Sequence, residues 1–290
     1  MSNSAPTLGF IGAGQMGSRM IQRLLGAGYS VNVYNRTPDS ASFLKSSGAK
    51  IQDSIENTVK DSDIILSSLA NDVAVEEVYL SPQGVARFIS PKKIVVELSS
   101  IRPETTRKLH QAITKQGGRM IDAAVSGSVL PAEEGNLVIF IGGDEGAYTE
   151  SKPILTILGK RLHYLGQSGN GSVMKLVAND VLGIGMAALA EAVRLGEASG
   201  LTKDEVIDVL LQTAVVAPAF KLKLENMKRD EYLPAFKLSL MLKDMDNILA
   251  TAEDHDVSVP VSTAARGLYK KASDQNFVNN DFSAVFEATE

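Results

Sequence analysis

The sequence predicts an α/β protein: an N-terminal Rossmann doubly wound sheet and a C-terminal all-helical domain, joined by a long interdomain helix. Three observations carry this expectation. An apolar run at residues 8–11 ends in Gly12-Ala13-Gly14-Gln15-Met16-Gly17 and opens a helical pattern. Apolar runs then alternate with helical patterns to about residue 165, as in a parallel sheet with helical crossovers. Beyond Gly171 the strand signals fade and helical periodicity takes over.

The elements follow in order. After the glycine loop, Met16, Met20, Ile21, Leu24 and Leu25 mark a helix that stops at Gly26-Ala-Gly28. Further strands are expected at residues 30–34, 62–67, 93–98, 119–123, 137–142 and 162–165, and together they argue a doubly wound parallel sheet. A long apolar helix is expected at 173–199, ended by Gly200. Thr202-Lys-Asp-Glu205 has capping-box spacing and opens a helix through Leu211. Ala217-Pro218 reads as a break and 226–234 as a polar loop. Helices at 238–253 and from Val259-Pro260 to about Ser273 complete the chain. The natural division gives an α/β domain at 1–168 and an all-helical domain at 169–290.

Composition excludes several classes. The 290 residues suit one large or two ordinary domains, and 44% hydrophobic content permits a sizeable core. A net charge of −5 without long charged runs gives no footprint for nucleic acid. The absence of cysteine rules out disulfides and thiolate catalysis. His110, His163 and His255 are scattered, so no metal site is expected. The polar N-terminal lead lacks a signal-peptide pattern. No uncharged apolar stretch reaches about 18 residues, so a membrane span is not expected. A cytoplasmic location is the resulting expectation.

The glycine loop has the residue types a dinucleotide requires. Gly12 permits a tight turn, Gly14 a close backbone approach to pyrophosphate, and Gly17 close helix packing. The helix N-terminus beyond it attracts an anion. Asn35-Arg36-Thr37 follows the second strand, where NAD enzymes usually carry Asp or Glu. Asn35 does not repel a 2′-phosphate, Arg36 can pair with one, and Thr37 adds a hydroxyl, so NADP (NADPH) is the expected cofactor. Leu69 and Ser100 follow strand ends and are expected to line the cofactor cleft. Gly169-Asn-Gly-Ser-Val-Met-Lys175-Leu-Val-Ala-Asn179 places Lys175 and Asn179 one turn apart on the long helix. On this stretch alone, Lys175 reads first as a snorkelling surface group and second as a placed proton donor. Alone, Ser126-Gly127-Ser128 reads as a turn, Lys243-Asp244 as a solvated helix face, and Phe236 as core.

Four motifs in order resemble the β-hydroxyacid dehydrogenase family, relatives of 3-hydroxyisobutyrate and 6-phosphogluconate dehydrogenases. They are Gly12-x-Gly14-x-Met16-Gly17-x-x-Met20; Asp122-Ala-Ala-Val-Ser126-Gly127 through Pro131-Ala-Glu133 to Gly135-x-Leu137; Gly169-x-Gly171-x-x-x-Lys175-x-x-x-Asn179; and Lys243-Asp244-Met-Asp-x-Ile-Leu-Ala250. Ala124 stands where the family usually has Pro, and Asp180 where it often has an amide or apolar residue. Within the family, the second motif and Pro234-Ala-Phe236 are similar to glyoxylate/succinic semialdehyde reductases. The resemblance implies Lys175 as the catalytic residue, supported by Asn179. It implies Ser126, Gly127 and Ser128 at the substrate carboxylate, Phe236 and Asp244 at the cleft, and Ser100 and Lys243 on the cofactor.

The implied activity is NADPH-dependent reduction of a small aldehyde or keto acid by a homodimer or homotetramer. With no dedicated Arg in the motif loops, and without the C-terminal extension of 6-phosphogluconate enzymes, a small carboxylate is expected rather than a sugar phosphate. The alternatives are a 3-hydroxyisobutyrate dehydrogenase, an imine reductase, which would generally lack the Lys, and a non-catalytic dinucleotide-binding module.

Overall fold

A computed structural model describes residues 5–289. Its first compact unit ends at Lys175 and its second begins at Leu176. The first unit carries β1 (Leu8–Ile11), α1 (Gln15–Gly26), β2 (Val31–Tyr34), a 3-10 stretch (Pro38–Ser47), β3 (Lys50–Ile51), α2 (Ile55–Lys60) and β4 (Ile64–Ser67). These are followed by α3 (Asp72–Leu80), α4 (Val85–Phe88), β5 (Ile94–Glu97), α5 (Pro103–Lys115) and β6 (Arg119–Ser126). Then come α6 (Val129–Glu134), β7 (Leu137–Gly143), α7 (Glu145–Leu158) and β8 (Gly159–Tyr164).

The strands form one sheet in the order β3-β2-β1-β4-β5-β6-β7-β8. The chain steps one way from β1 to β2 and β3, then returns to the other side of β1 with β4. That reversal is a topological switch point, and open α/β sheets bind ligands at the carboxyl ends of such strands. Alternation along each strand builds a core on each face. Leu8 and Phe10 pack with Met20 and Leu24 on one side. Ile11, Ile65 and Val95 pack with Val75, Tyr79 and Leu109 on the other.

The sheet is not wholly parallel, as the sequence had suggested. β7 runs antiparallel to β6, and β8 then runs parallel to β7. The physical reason is the short connection through α6, since a parallel return needs a crossover of about a dozen residues or more. The longer α7 supplies such a crossover between β7 and β8.

The helix α8 (Asn170–Ala198) runs from the first unit into the second. The second unit continues with α9 (Lys203–Leu211), α10 (Pro218–Lys228), α11 (Leu238–Asp254) and α12 (Pro260–Asp274), and ends in 3-10 turns Phe277–Asn279 and Phe282–Ala288. The capping box opening α9 is formed, with Thr202 and Glu205 each bonding the other's backbone N–H. The expected break at Ala217-Pro218 is instead the start of α10, and the expected loop at 226–234 begins inside that helix. Pro218 occupies the first turn, where its missing N–H has no helical partner to lose.

By length and composition α8 could cross a membrane, with a mean hydropathy of 1.6 over its most apolar window. Its charged residues Asp180 and Glu191 are why the sequence alone shows no uncharged run of that length. Here Leu176, Met186, Ala190 and Val193 of α8 are buried in the second unit's core with Phe220, Leu224, Met241 and Tyr269.

Candidate active site

The glycine loop lies at the carboxyl end of β1, opposite the loop that follows β4. Gly12 has φ +96°, and a Cβ there would lie 2.3 Å from the Ser68 carbonyl oxygen. Such a residue has neither the backbone conformation nor the space for a side chain. At Gly17 an added Cβ would lie 2.1 Å from the Gly12 carbonyl oxygen, so the helix packs directly on the loop. Gly14 differs, because apart from its own chain neighbours no protein atom lies within 4 Å of where its Cβ would be. That open side leaves room for a ligand to approach the backbone. The first turn of α1 has no acidic residue and no side-chain cap, so its N–H groups suit pyrophosphate. These features fit a dinucleotide.

A cavity of about 510 Å³ continues from this loop. Gly12, Gly14, Asn35, Arg36, Thr37 and Leu69 line it, joined by Ile55, Ala74, Glu77 and Gln83, which sequence reasoning did not select. Arg36 and Thr37 are exposed. Asn35 does more than avoid repulsion. Its Oδ1 accepts from the Ala13 N–H at 3.0 Å, and its Nδ2 donates to the Thr37 carbonyl and Ser40 Oγ, both at 2.8 Å. It therefore ties the glycine loop to the loop carrying Arg36. Gln15 and Met16 open α1, while Ser100, half-buried, follows β5 and does not line the cavity. A second cavity, about 490 Å³, is bordered by Arg19, Arg23 and Glu133 and involves none of the glycine-loop residues.

Lys175 sits in the second turn of α8 and is only 8% exposed. That burial removes the snorkelling surface reading. The start of its helix is held from outside by Asp122, in β6. The two Asp122 carboxylate oxygens accept from the Gly169 N–H at 2.9 Å and the Ser172 N–H at 3.0 Å. The Thr106 and Ser172 hydroxyls lie 2.8 Å apart, a further tie between α5 and α8. Burial pushes the Asp122 carboxyl above its ordinary value, against the lowering effect of these N–H donors. Ser126 ends the same strand, half-buried, and Gly127 follows at φ +131°. Ser128 precedes α6 with its side chain making no cap bond.

In the second unit, Asn179 lies one turn beyond Lys175 on α8. Its Nδ2 donates to the Asp244 Oδ2 at 2.5 Å, and Lys243 Nζ lies 2.8 Å from the Asp244 Oδ1. Asp244 is 1% exposed, so this cluster is a buried structure rather than a solvated helix face. Phe236 is half-buried and meets the Phe282 ring edge-on at 5.7 Å. Its backbone N–H donates to Asp281.

Residues 7–166 match the family model for the NAD binding domain of 6-phosphogluconate dehydrogenase. Residues 169–289 match that for the NAD-binding region of NADP-dependent 3-hydroxyisobutyrate dehydrogenase. Glyoxylate/succinic semialdehyde reductase 1 of Arabidopsis thaliana is 39% identical, over 97% of this chain and 97% of its own length. The chain belongs to the β-hydroxyacid dehydrogenase family. Among solved structures, Mycobacterium tuberculosis 3-hydroxyisobutyrate dehydrogenase with L-serine superimposes at a TM-score of 0.89 and 26% identity, over 98% of this chain and 99% of that one. Psf3 in complex with NADP+ and 2-OPP gives 0.88 and 27%, over 98% and 100%. This β-hydroxyacid dehydrogenase relative is thus an oxidoreductase using a nicotinamide dinucleotide and a small-molecule substrate.

Two buried acids of the first unit were not singled out as site residues from sequence, Glu97 and Asp122. The signal was present: each is a carboxylate in an apolar strand, Ile94-Val-Val-Glu97 and Met120-Ile-Asp122-Ala-Ala-Val125. Burial of a carboxylate is costly unless it is hydrogen-bonded, so such a residue marks a backbone feature that needs holding. Among the described residues no cluster of His, Cys, Asp and Glu could hold a metal ion.

Proposed function

We propose that this protein reduces a small aldehyde or keto acid to the hydroxyacid with NADPH, with Lys175 as general acid. The observation that carries the reading is a buried ammonium in the second turn of a helix whose N-terminus is pinned by Asp122. When bound, the reduced nicotinamide supplies hydride to the carbonyl carbon. Lys175 donates a proton to the carbonyl oxygen as alkoxide charge develops, and its positive charge stabilises that charge. In the reverse direction neutral Lys175 accepts the proton. Ser126 Oγ and the Gly127 N–H receive the substrate carboxylate. Asn179 supports Lys175, Asp244 orients both Asn179 and Lys243, and Lys243 contacts the cofactor. Phe236 borders the pocket.

Lys175→Ala is expected to lower kcat by at least about 10²-fold, the lower end for general acid–base catalysis, while NADPH still binds. Turnover near the native level would remove Lys175 from the mechanism.

The 2′-phosphate is assigned to Arg36 and Thr37, on the loop that Asn35 holds. Loss of a charge-assisted phosphate contact in Arg36→Ala should weaken NADPH binding about tenfold or more and leave NADH little changed. Equal use of the two cofactors by the wild type would contradict this assignment.

Glyoxylate and succinic semialdehyde are the proposed substrates, on the identity to the plant reductase. The likeness to a 3-hydroxyisobutyrate dehydrogenase structure favours a second reading, oxidation of that hydroxyacid. A panel of both aldehydes, tartronate semialdehyde, methylmalonate semialdehyde and 3-hydroxyisobutyrate separates the two. Highest kcat/KM for 3-hydroxyisobutyrate with NAD would select the second. A methylene more or less in a pocket is worth only about 1–3 kcal/mol, so activity on more than one semialdehyde is expected.

A further inference from the structure

Three neighbouring strands place Ser67 and Glu97, at the carboxyl ends of β4 and β5, in register with Asp122, midway along β6. Glu97 is the least expected of them. It closes a strand whose other residues are apolar and buried, and it is itself 1% exposed. The Ser67 Oγ donates to one of its oxygens. The Ser99 N–H donates to the other at 2.7 Å. The Tyr79 hydroxyl, from α3, lies 2.5 Å from the Ser67 Oγ. The network then leaves the sheet, because the Ser99 Oγ accepts from the Leu69 N–H at 2.8 Å. Leu69 lines the cavity beside the glycine loop, and its neighbour Ser68 supplies the carbonyl that crowds Gly12. A rigid strand, a serine and the backbone at residue 69 thus form one hydrogen-bonded path to the cofactor cleft.

We propose that Glu97 is a positioning residue for the dinucleotide, acting through Ser99 to hold the loop after β4 against the glycine loop. The carboxylate gathers donors from β4, α3 and the loop after β5, three elements with no covalent reason to keep one spacing. A bare serine could rotate away from Leu69. A serine whose own N–H is anchored to a buried carboxylate keeps its hydroxyl where the Leu69 N–H needs an acceptor. The effect should be common to both dinucleotides, because Arg36 and Thr37 belong to a different loop, after β2.

The test uses the full chain and fluorescence titration with NADPH and with NADH, alongside Tm and steady-state kinetics. Ser99→Ala removes the acceptor for Leu69 and lies outside the strand, so it decides the matter even if Glu97→Ala fails to fold. Loss of hydrogen bonds in such a charged network should raise the Kd of both dinucleotides about tenfold or more in Ser99→Ala and Glu97→Ala. Glu97→Gln, whose carbonyl still accepts from the Ser99 N–H, should fall between these and wild type. The KM for the aldehyde at saturating cofactor should stay within about twofold of wild type. Ser67→Ala is the contrast: it leaves the Ser99–Leu69 contact, so it should lower Tm without a comparable loss of affinity.

A fall in Tm for Glu97→Gln and Ser99→Ala with both Kd values within about twofold of wild type would make Glu97 merely structural and overturn the proposal. A change confined to NADPH would also overturn it, since that pattern belongs to the loop of Arg36. The assignment of Arg36 itself fails separately, if Arg36→Ala leaves the NADPH-to-NADH ratio unchanged.

Discussion

Each unit of the molecule buries acidic side chains, and they are used differently. In the first unit Glu97 and Asp122 face neutral donors. Their partners are hydroxyls and backbone N–H groups of loops and of a helix start. In the second unit Asp244 and Asp281 face ammonium groups. Lys243 lies 2.8 Å from Asp244, and Lys223 lies 2.6 Å from Asp281. The sheet offers loops that end in unsatisfied backbone groups, and a carboxylate can gather several of them. A bundle of helices satisfies most of its own backbone, and the buried acids there take a charged partner beside their neutral donors. The difference teaches which variants should lose stability and which should lose function.

The largest effect should come from the ion pair. Asp281 is 1% exposed, and its Oδ2 also accepts from the Ala235 and Phe236 N–H groups, both at 3.1 Å. Asp281→Asn leaves Lys223, itself 12% exposed at the side chain, without its counter-charge. Removing one member of a buried pair typically costs about 3–5 kcal/mol, so thermal unfolding should show a marked drop in Tm. The double variant Asp281→Asn with Lys223→Met should recover much of it. If Asp281→Asn unfolds like the wild type, the contrast between the units is wrong.

Asp122→Asn sharpens the comparison from the other side. No cation is stranded, and one oxygen still accepts from α8. What changes is the second acceptor at the start of the helix carrying Lys175. Loss of one hydrogen bond to a charged group, about 1.5–3 kcal/mol, should appear mainly as a fall of about tenfold or more in kcat. Dinucleotide affinity should stay near that of wild type, in contrast to variants at Glu97 and Ser99. A rise in Kd for NADPH with unchanged kcat would mean that the two acids share one task.

Much of this was legible in the sequence, for reasons the structure makes plain. The glycine loop was readable because each of its glycines answers a separate steric demand, seen at Gly12, Gly14 and Gly17. The capping box at Thr202 was readable because both of its bonds are local. The direction of β7 was not, since the run Leu137–Gly143 marks a strand without marking which way it runs. α10 was hidden because Pro218 reads as a stop, although proline is also favoured in the first turn of a helix. The roles of Glu97 and Asp122 were hidden because most of their partners lie elsewhere in the chain. Gly169 and Ser172 are 47 and 50 residues from Asp122, and Ser67 is 30 from Glu97. Local patterns reveal local bonds, and of these partners only the Ser99 N–H, two residues from Glu97, is local.

The smallest expected effect is in the pH dependence of stability, and it tests whether burial or hydrogen bonding governs Glu97. Burial pushes its carboxyl above the ordinary value of 4.5, outweighing the donors that pull it down. A raised value in the folded state means that folding favours the protonated form. Stability from this group is therefore fully present below the unfolded-state value and is lost as pH rises toward the folded-state value. The slope within that window is at most about 1.4 kcal/mol per pH unit for one proton. Glu97→Gln has no proton to lose and should be flat where the wild type declines. Asp122 titrates in both proteins, so it cancels in the difference. The Tm of Glu97→Gln minus that of the wild type should thus rise as pH increases from about 4.5, then level off once the wild-type carboxyl has ionised. A difference that stays constant with pH would mean that the hydroxyl and N–H donors offset the burial completely. A difference that falls would mean that they exceed it, and that this carboxylate resembles the paired acids of the helical unit more than its neighbour Asp122.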